Sequence, residues 1–267
     1  MPSTKRPRPI PPLPCQPPTV VERRGRRTLE FVPGEVQSEM LVARPARLML
    51  AYTRAIMCFA LFVPRPRHIV MVGLGGGSLV KFCYRHFPHT RLTVLELRAD
   101  VIALRSQFAI PPDDARLRVV HTDAALWLAG QREAADVIVL DGFDQAGPPA
   151  ALASARFFGD CQRALCSGGV LVANIFTYDP AYRATLARLG ARFDQRLCWF
   201  DGVAGNNRIL FALKGPAPAS ASVAGRWQRW LARHEGLGCA VLNQALVLIL
   251  IMVLSRPNGT KRQHLLP

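Results

Sequence analysis

Three carboxylates in this 267-residue chain each stand just past a short apolar run, in the positions of a nucleoside site. Glu96 closes the run 92–95, Asp123 follows the run 117–120, and Asp141 closes the run 137–140. An acid at the end of a parallel strand, about 20 residues past a glycine turn, accepts hydrogen bonds from ribose hydroxyls; Glu96 lies 23 positions after Gly73. That glycine opens the loop of HIVMVGLGGGSL (residues 68–79), where Gly73, Gly75, Gly76 and Gly77 separate an apolar run from a helical pattern. Glycines at such a junction let the backbone approach a nucleotide lying at a helix N-terminus. Each feature also has a plain structural reading. A glycine turn relieves crowding, and an acid after a strand caps the next helix, as Asp123 would cap 124–128. Taken together, the three acids fall on the edge of a sheet outside which open α/β folds bind their ligands.

The elements that would place them there alternate along the chain. Apolar runs and helical periodicities predict strands over 69–73, 92–96, 117–121, 136–141 and 169–176. Helices are expected over 78–87, 99–108, 123–129, near 152–165 and over 180–189. This alternation implies a mainly parallel sheet with helices on both faces. Two last strands, near 192–200 and 207–213, are joined by DGVAGNN, too short for a parallel crossover, and must pair antiparallel. The fold expected is therefore α/β, Rossmann-like and of the methyltransferase type, with an antiparallel closing hairpin. Ahead of it TLEFVPGEVQS, with a turn at Pro33-Gly34, predicts a small N-terminal β-hairpin, and Leu48, Met49, Tyr52, Ile56, Phe59 and Ala60 predict a helix over 46–62. The domain boundaries read as a disordered proline-rich tail over 1–18, a hairpin region over 19–44, a nucleoside-binding domain over 45–214, and a linker with C-terminal helices over 215–267.

The net charge of +16 lies mainly outside that domain: residues 68–213 carry 15 Lys and Arg against 13 Asp and Glu. No aromatic stacking pattern or recognisable module accompanies the basic flanks, so they read as solvated faces rather than a nucleic-acid site. Seven cysteines without a CxxC pair suggest neither a disulfide framework nor a zinc site, and they read as buried thiols of a cytoplasmic protein. No metal ligand cluster is expected. From 236 to 255 the chain has no charged residue, yet only about half of that span is strongly apolar, which fits a buried or dimer-forming helix better than a span. A basic, aromatic segment with Arg226, Trp227, Arg229, Trp230 and Arg233 precedes it, which leaves association with a membrane surface open.

In DVIVLDGFDQAGPP a second acid, Asp144, follows Asp141 by three positions on one loop. Here the chain resembles the spermidine synthase family, the polyamine aminopropyltransferases, whose mark at this place is an Asp-x-x-Asp-Pro loop. The resemblance runs over about 28–213 and takes in VQSEM, the glycine loop, Glu96, the Asp123-Ala124 pair and DGFD in the family's order. It implies transfer of an aminopropyl group from decarboxylated S-adenosylmethionine, as co-substrate, to a di- or polyamine. It implies that Asp141 and Asp144 are catalytic, that Glu96 holds the ribose and Asp123 the adenine amino group, and that Gln37, Gly73, Gly75, Gly77 and Ala124 line the donor site. It also implies a homodimer. The sequence departs from the family at Gly76, where the synthases place an aspartate, and at Gln145, where they place proline. The family's Tyr-and-His or Tyr-and-Gln segment has no clear counterpart after Gln37, for which Tyr52 would substitute from another turn. Gly76 also suits an S-adenosylmethionine-dependent methyltransferase on the same fold, and a non-catalytic nucleoside-binding scaffold is the third reading.

Overall fold

The computed structural model describes residues 17–142, 149–199, 207–215 and 240–255. Seven strands form one sheet: β4 (His68–Val72), β5 (Arg91–Glu96), β6 (Leu117–His121), β7 (Ala135–Leu140), β8 (Leu165–Phe176), β9 (Leu197–Trp199) and β10 (Asn207–Leu213). Their order in space is β6-β5-β4-β7-β8-β10-β9. The first five are parallel, and β10 inserts antiparallel between β8 and β9; its antiparallel pairing with β9 is the one expected from the short link. The strand order reverses between β4 and β7, which lead directly into the glycine loop and the Asp141 turn. A crevice opens at such a switch point.

Alternate residues of each strand feed two cores, because successive side chains point to opposite faces. Ile69, Met71, Val137, Val139, Val170 and Val172 face one side, with α1 (Ala51–Ile56), the 3-10 turn Met57–Leu61, α2 (Ser78–His86), α3 (Ala99–Ala103) and α7 (Ala240–Leu254). Val70, Val72, Ile138, Leu140, Leu171 and Ala173 face the other, with α4 (Ala124–Ala129), α5 (Ala155–Ala164) and α6 (Tyr182–Arg192). The sheet is thus covered on both sides, which explains why its strands read as continuous apolar runs.

Several boundaries differ from expectation. The N-terminal element is a three-stranded antiparallel sheet of β1 (Thr19–Arg23), β2 (Arg26–Glu30) and β3 (Val36–Leu41), not a hairpin alone. The added strand turns back at Arg24-Gly25, both with positive φ. The helix expected over 46–62 begins only at Ala51, since Leu50 is extended and Arg54 Nη1 donates to the carbonyls of Leu48 and Met49. It then tightens to a 3-10 turn ahead of Pro64. The helix expected over 99–108 stops at Ala103, because residues 104–110 must turn, with Ala109 at φ +52°, to bring Phe108 and Ile110 down onto the glycine loop. Helix α6 runs on to Arg192, so β9 is shorter than 192–200. Residues 1–16, Asp144 and the segment 226–233 lie outside the described residues.

Candidate functional site

The glycine loop is shaped by what crowds it. Gly73 sits at φ +95°, and a Cβ there would meet the Asp141 carbonyl oxygen at 2.6 Å and Gly142 Cα at 2.9 Å. The ends of β4 and β7 therefore approach each other as closely as backbone allows, and Asp141 N donates to Val72 O at 3.0 Å. Gly77, at φ +65°, opens α2, and its missing Cβ leaves room for Ile110. Gly76 has ordinary φ but is packed tight: a Cβ would lie 2.6 Å from Ser38 Oγ and 2.9 Å from the Phe108 ring. Around Gly75 the nearest atom to a Cβ is 3.9 Å away, so this part of the loop is the open one. Ser38 Oγ lies 3.3 Å from Ser78 Oγ, which ties β3 to the start of α2.

Glu96, buried at the end of β5, is held through both oxygens by backbone amides. Oε2 accepts from Leu74 N at 2.7 Å and Oε1 from Arg98 N at 2.8 Å. It therefore holds the glycine loop against β5. Burial pushes its carboxyl pKa upward against those backbone amides, which favour the anion. The Leu97 amide adds a further favourable interaction with the anion, and the carboxylate keeps lone-pair capacity for a ligand hydroxyl. Asp123 caps α4, its Oδ1 accepting from Ala125 N at 2.7 Å, so the plain reading of this acid holds in the structure. Its Oδ2 accepts nothing among the described residues, and Ala124 behind it is buried. Gln37 is the extra residue of a β-bulge, since the register of β2 and β3 slips between Leu29↔Ser38 and Glu30↔Val36. Bulges of this kind re-aim a side chain beside a site.

Asp141 has the most elaborate surroundings. Asn174 Nδ2, from β8, donates to its Oδ1 at 2.9 Å, and Asn207 Nδ2, from β10, donates to Asn174 Oδ1 at 2.9 Å. The Tyr52 hydroxyl, from α1, faces Asp141 and favours its anion. Desolvation raises the Asp141 pKa from 3.8 to about 7, against the lowering effect of the Asn174 and Tyr52 hydrogen bonds. Burial and the Asp141 charge push the Tyr52 phenol well above its ordinary range, so it stays a donor. Gly142 and Asn174 border a cavity of about 20 Å³, lined otherwise by apolar side chains and Thr185. It is far too small for a nucleoside, which leaves the open glycine side of Asp141 for ligand.

Glu96, Asp123 and Asp141 thus stand at the carboxyl ends of β5, β6 and β7, on the edge expected. The sequence reading missed Asn174 and Asn207. A signal for Asn174 was there: a lone amide inside the apolar run 170–176, where a buried polar group needs a partner. Among the described residues no group of His, Cys, Asp and Glu is placed to hold a metal ion.

A family model described as the spermine/spermidine synthase domain matches residues 49–184. The polyamine aminopropyltransferase of Neisseria meningitidis serogroup A is 35% identical over 197 residues, covering 73% of this chain and 75% of that protein. That of Chromobacterium violaceum is 32% identical over 196 residues, with the same coverage of each. Among solved structures, a probable spermidine synthase from Corynebacterium glutamicum superposes with a TM-score of 0.67 at 20% identity, over 82% of this chain and 91% of that one. Human methyltransferase-like protein 13 in complex with SAH gives 0.55 at 24% identity, over 81% and 94%. These likenesses show a fold shared by both kinds of transferase.

Proposed function

The chain belongs to the spermine/spermidine synthase family, and from that premise we propose that it transfers an aminopropyl group from decarboxylated S-adenosylmethionine to a small di- or polyamine. The observation that carries the reading is Asp141: a carboxylate at the mouth of the crevice, held by the Asn174 amide with the Tyr52 hydroxyl beside it, its pKa raised to about 7. The acceptor nitrogen attacks the carbon next to the sulfonium. The carbon–sulfur bond breaks with its electron pair returning to sulfur, and methylthioadenosine leaves. An alkylamine has a pKa of about 10.4 and arrives as an ammonium without a free lone pair. Asp141 binds that cation, takes one proton and turns the lone pair toward carbon. Its raised pKa narrows the gap to the ammonium and makes it a better base than an exposed aspartate. Asp144, three residues on, is the second anchor in this reading. Holding nitrogen and carbon in line supplies much of the remaining acceleration.

The donor lies along the glycine loop, its ribose hydroxyls on the free lone pairs of Glu96 and its adenine amino group on Asp123 Oδ2. Gly73, Gly75, Gly77 and Ala124 form the wall, and Gln37 reaches the donor from the bulge. Incubating the protein with decarboxylated donor and a diamine, and detecting methylthioadenosine by mass spectrometry, tests the reaction; an absence of product with active-site residues intact would refute it.

Methyl transfer from intact S-adenosylmethionine is the second reading, favoured by Gly76. A carboxylate at this position would repel the methionine carboxylate, and the packing of Ser38 and Phe108 leaves no space for one. Calorimetric titration with the intact and decarboxylated forms separates the two: tighter binding of the decarboxylated form supports aminopropyl transfer, and the reverse order supports methyl transfer.

A further inference from the structure

Helix α7, AVLNQALVLILIMVL, is apolar apart from Asn243 and Gln244, yet from Leu246 to Leu254 only one side of it is covered. Val247 is fully buried, and Leu246, Leu250, Ile251 and Leu254 pack into the core beside α1 and the Met57–Leu61 turn. On the opposite side Leu248, Ile249, Met252 and Val253 are each more than half exposed. These positions are spaced three and four apart and form one stripe along the helix. A contiguous apolar stripe on an otherwise solvated surface marks an interaction site.

We propose that this stripe docks on the surface of an anionic phospholipid bilayer, with α7 lying in the headgroup region. Two observations select that occupant. First, the chain on either side of α7 is basic: Arg226, Arg229 and Arg233 precede it, and Arg256, Lys261 and Arg262 follow, with Glu235 the one acid between 226 and 262. Basic groups flanking an apolar helix face are attracted to anionic lipid. A second copy of the chain would instead bring the same positive flanks together, since a two-fold contact joins identical patches. Second, the stripe is small. Two such stripes meeting would bury on the order of 800 Å², the size of a lattice contact and short of the roughly 1,200 Å² at which specific interfaces begin. The helix rises about 22 Å over its 15 residues, less than the roughly 30 Å of a hydrocarbon core, and no described helix is long and apolar enough to cross a membrane. It rests on the bilayer; it does not span it.

The test is co-sedimentation of the full chain with vesicles of phosphatidylcholine alone and with one third phosphatidylglycerol added. Binding at least tenfold stronger to the anionic vesicles is expected. The combined substitution Leu248→Ser, Ile249→Ser and Met252→Ser should reduce it at least tenfold without altering donor affinity, and Ile249→Trp should add a blue-shifted emission component only when anionic vesicles are present. Equal binding to both vesicle types, or binding indifferent to the serine substitutions, overturns the proposal. So does a lipid-free dimer, seen by sedimentation velocity, that the serine substitutions abolish.

Discussion

Asp141 is a carboxylate whose surroundings work in opposite directions, and its titration reports their balance. Desolvation holds its pKa near 7, and the Asn174 and Tyr52 donors keep it from rising further. In the proposed reaction Asp141 must be ionised to accept a proton, so kcat/KM for the amine is expected to rise with pH through an apparent pKa near 7. Tyr52→Phe removes one donor to the anion, and the acidic limb should move to higher pH; a limb that stays or moves down would show that Tyr52 does not act on Asp141. Asp141→Asn should lower kcat by roughly 10²- to 10⁴-fold, the range typical of a lost general base, while donor affinity by calorimetry changes little. The same shift bears on stability. In the folded state Asp141 keeps its proton to higher pH than in the unfolded chain, so its contribution is most favourable below about pH 4 and is lost as the pH rises toward 7.

The loop and the elements around it depend on glycine for room, and substitutions there test the packing. Gly73→Ala would place a methyl group against the Asp141 carbonyl at a positive φ, so β7 must retreat and carry Asp141 with it. A loss of stability on the order of 1–3 kcal/mol, read from the urea midpoint, should come with weakened donor binding. Gly76→Asp, which writes the family's residue back into the loop, should fail to improve affinity for the decarboxylated donor and should lower stability, because Ser38 Oγ and the Phe108 ring already fill that space. Tighter donor binding by this variant would show that the loop can open. Helix α2 carries a further cation, Lys81, buried with its Nζ donating to Phe108 O at 2.7 Å. Desolvation, with help from Arg27, lowers its pKa to about 7 from 10.5. The folded state loses this proton before the unfolded chain does, so stability rises as the pH climbs from about 7 to 10.5. Lys81→Met should flatten that part of the stability profile, measured by thermal melts across the range.

At the scale of the whole molecule, the architecture was legible because parallel strands buried on both faces leave continuous apolar runs, and the glycine-to-Glu96 spacing marks where the first crossover returns. The closing pair followed from the length of its link alone. Contacts between elements far apart in sequence left fainter traces. Asn174 meets Asp141 only because β7 and β8 are neighbours, and Asn207 meets Asn174 only because β10 inserts beside β8. Neither pairing follows any period along the chain. The first strand of the N-terminal sheet and the early end of α3 were hidden for a related reason: both are fixed by what the segment must pack against rather than by its own pattern. For Asp123 the reverse applies, since its helix cap is purely local and could be read from the residues that follow it.

The placing of β10 sets an order of events during synthesis. β8 is an interior strand in the finished sheet, but its partner on that side ends on the order of 40 residues later, a delay of about 2–8 s at roughly 5–20 residues per second. During that interval the nascent chain presents a long apolar edge with unpaired backbone groups, a template for joining another chain. Asp141 likewise waits for Asn207, so the carboxylate proposed as the base acquires its full support only when the last strand is in place.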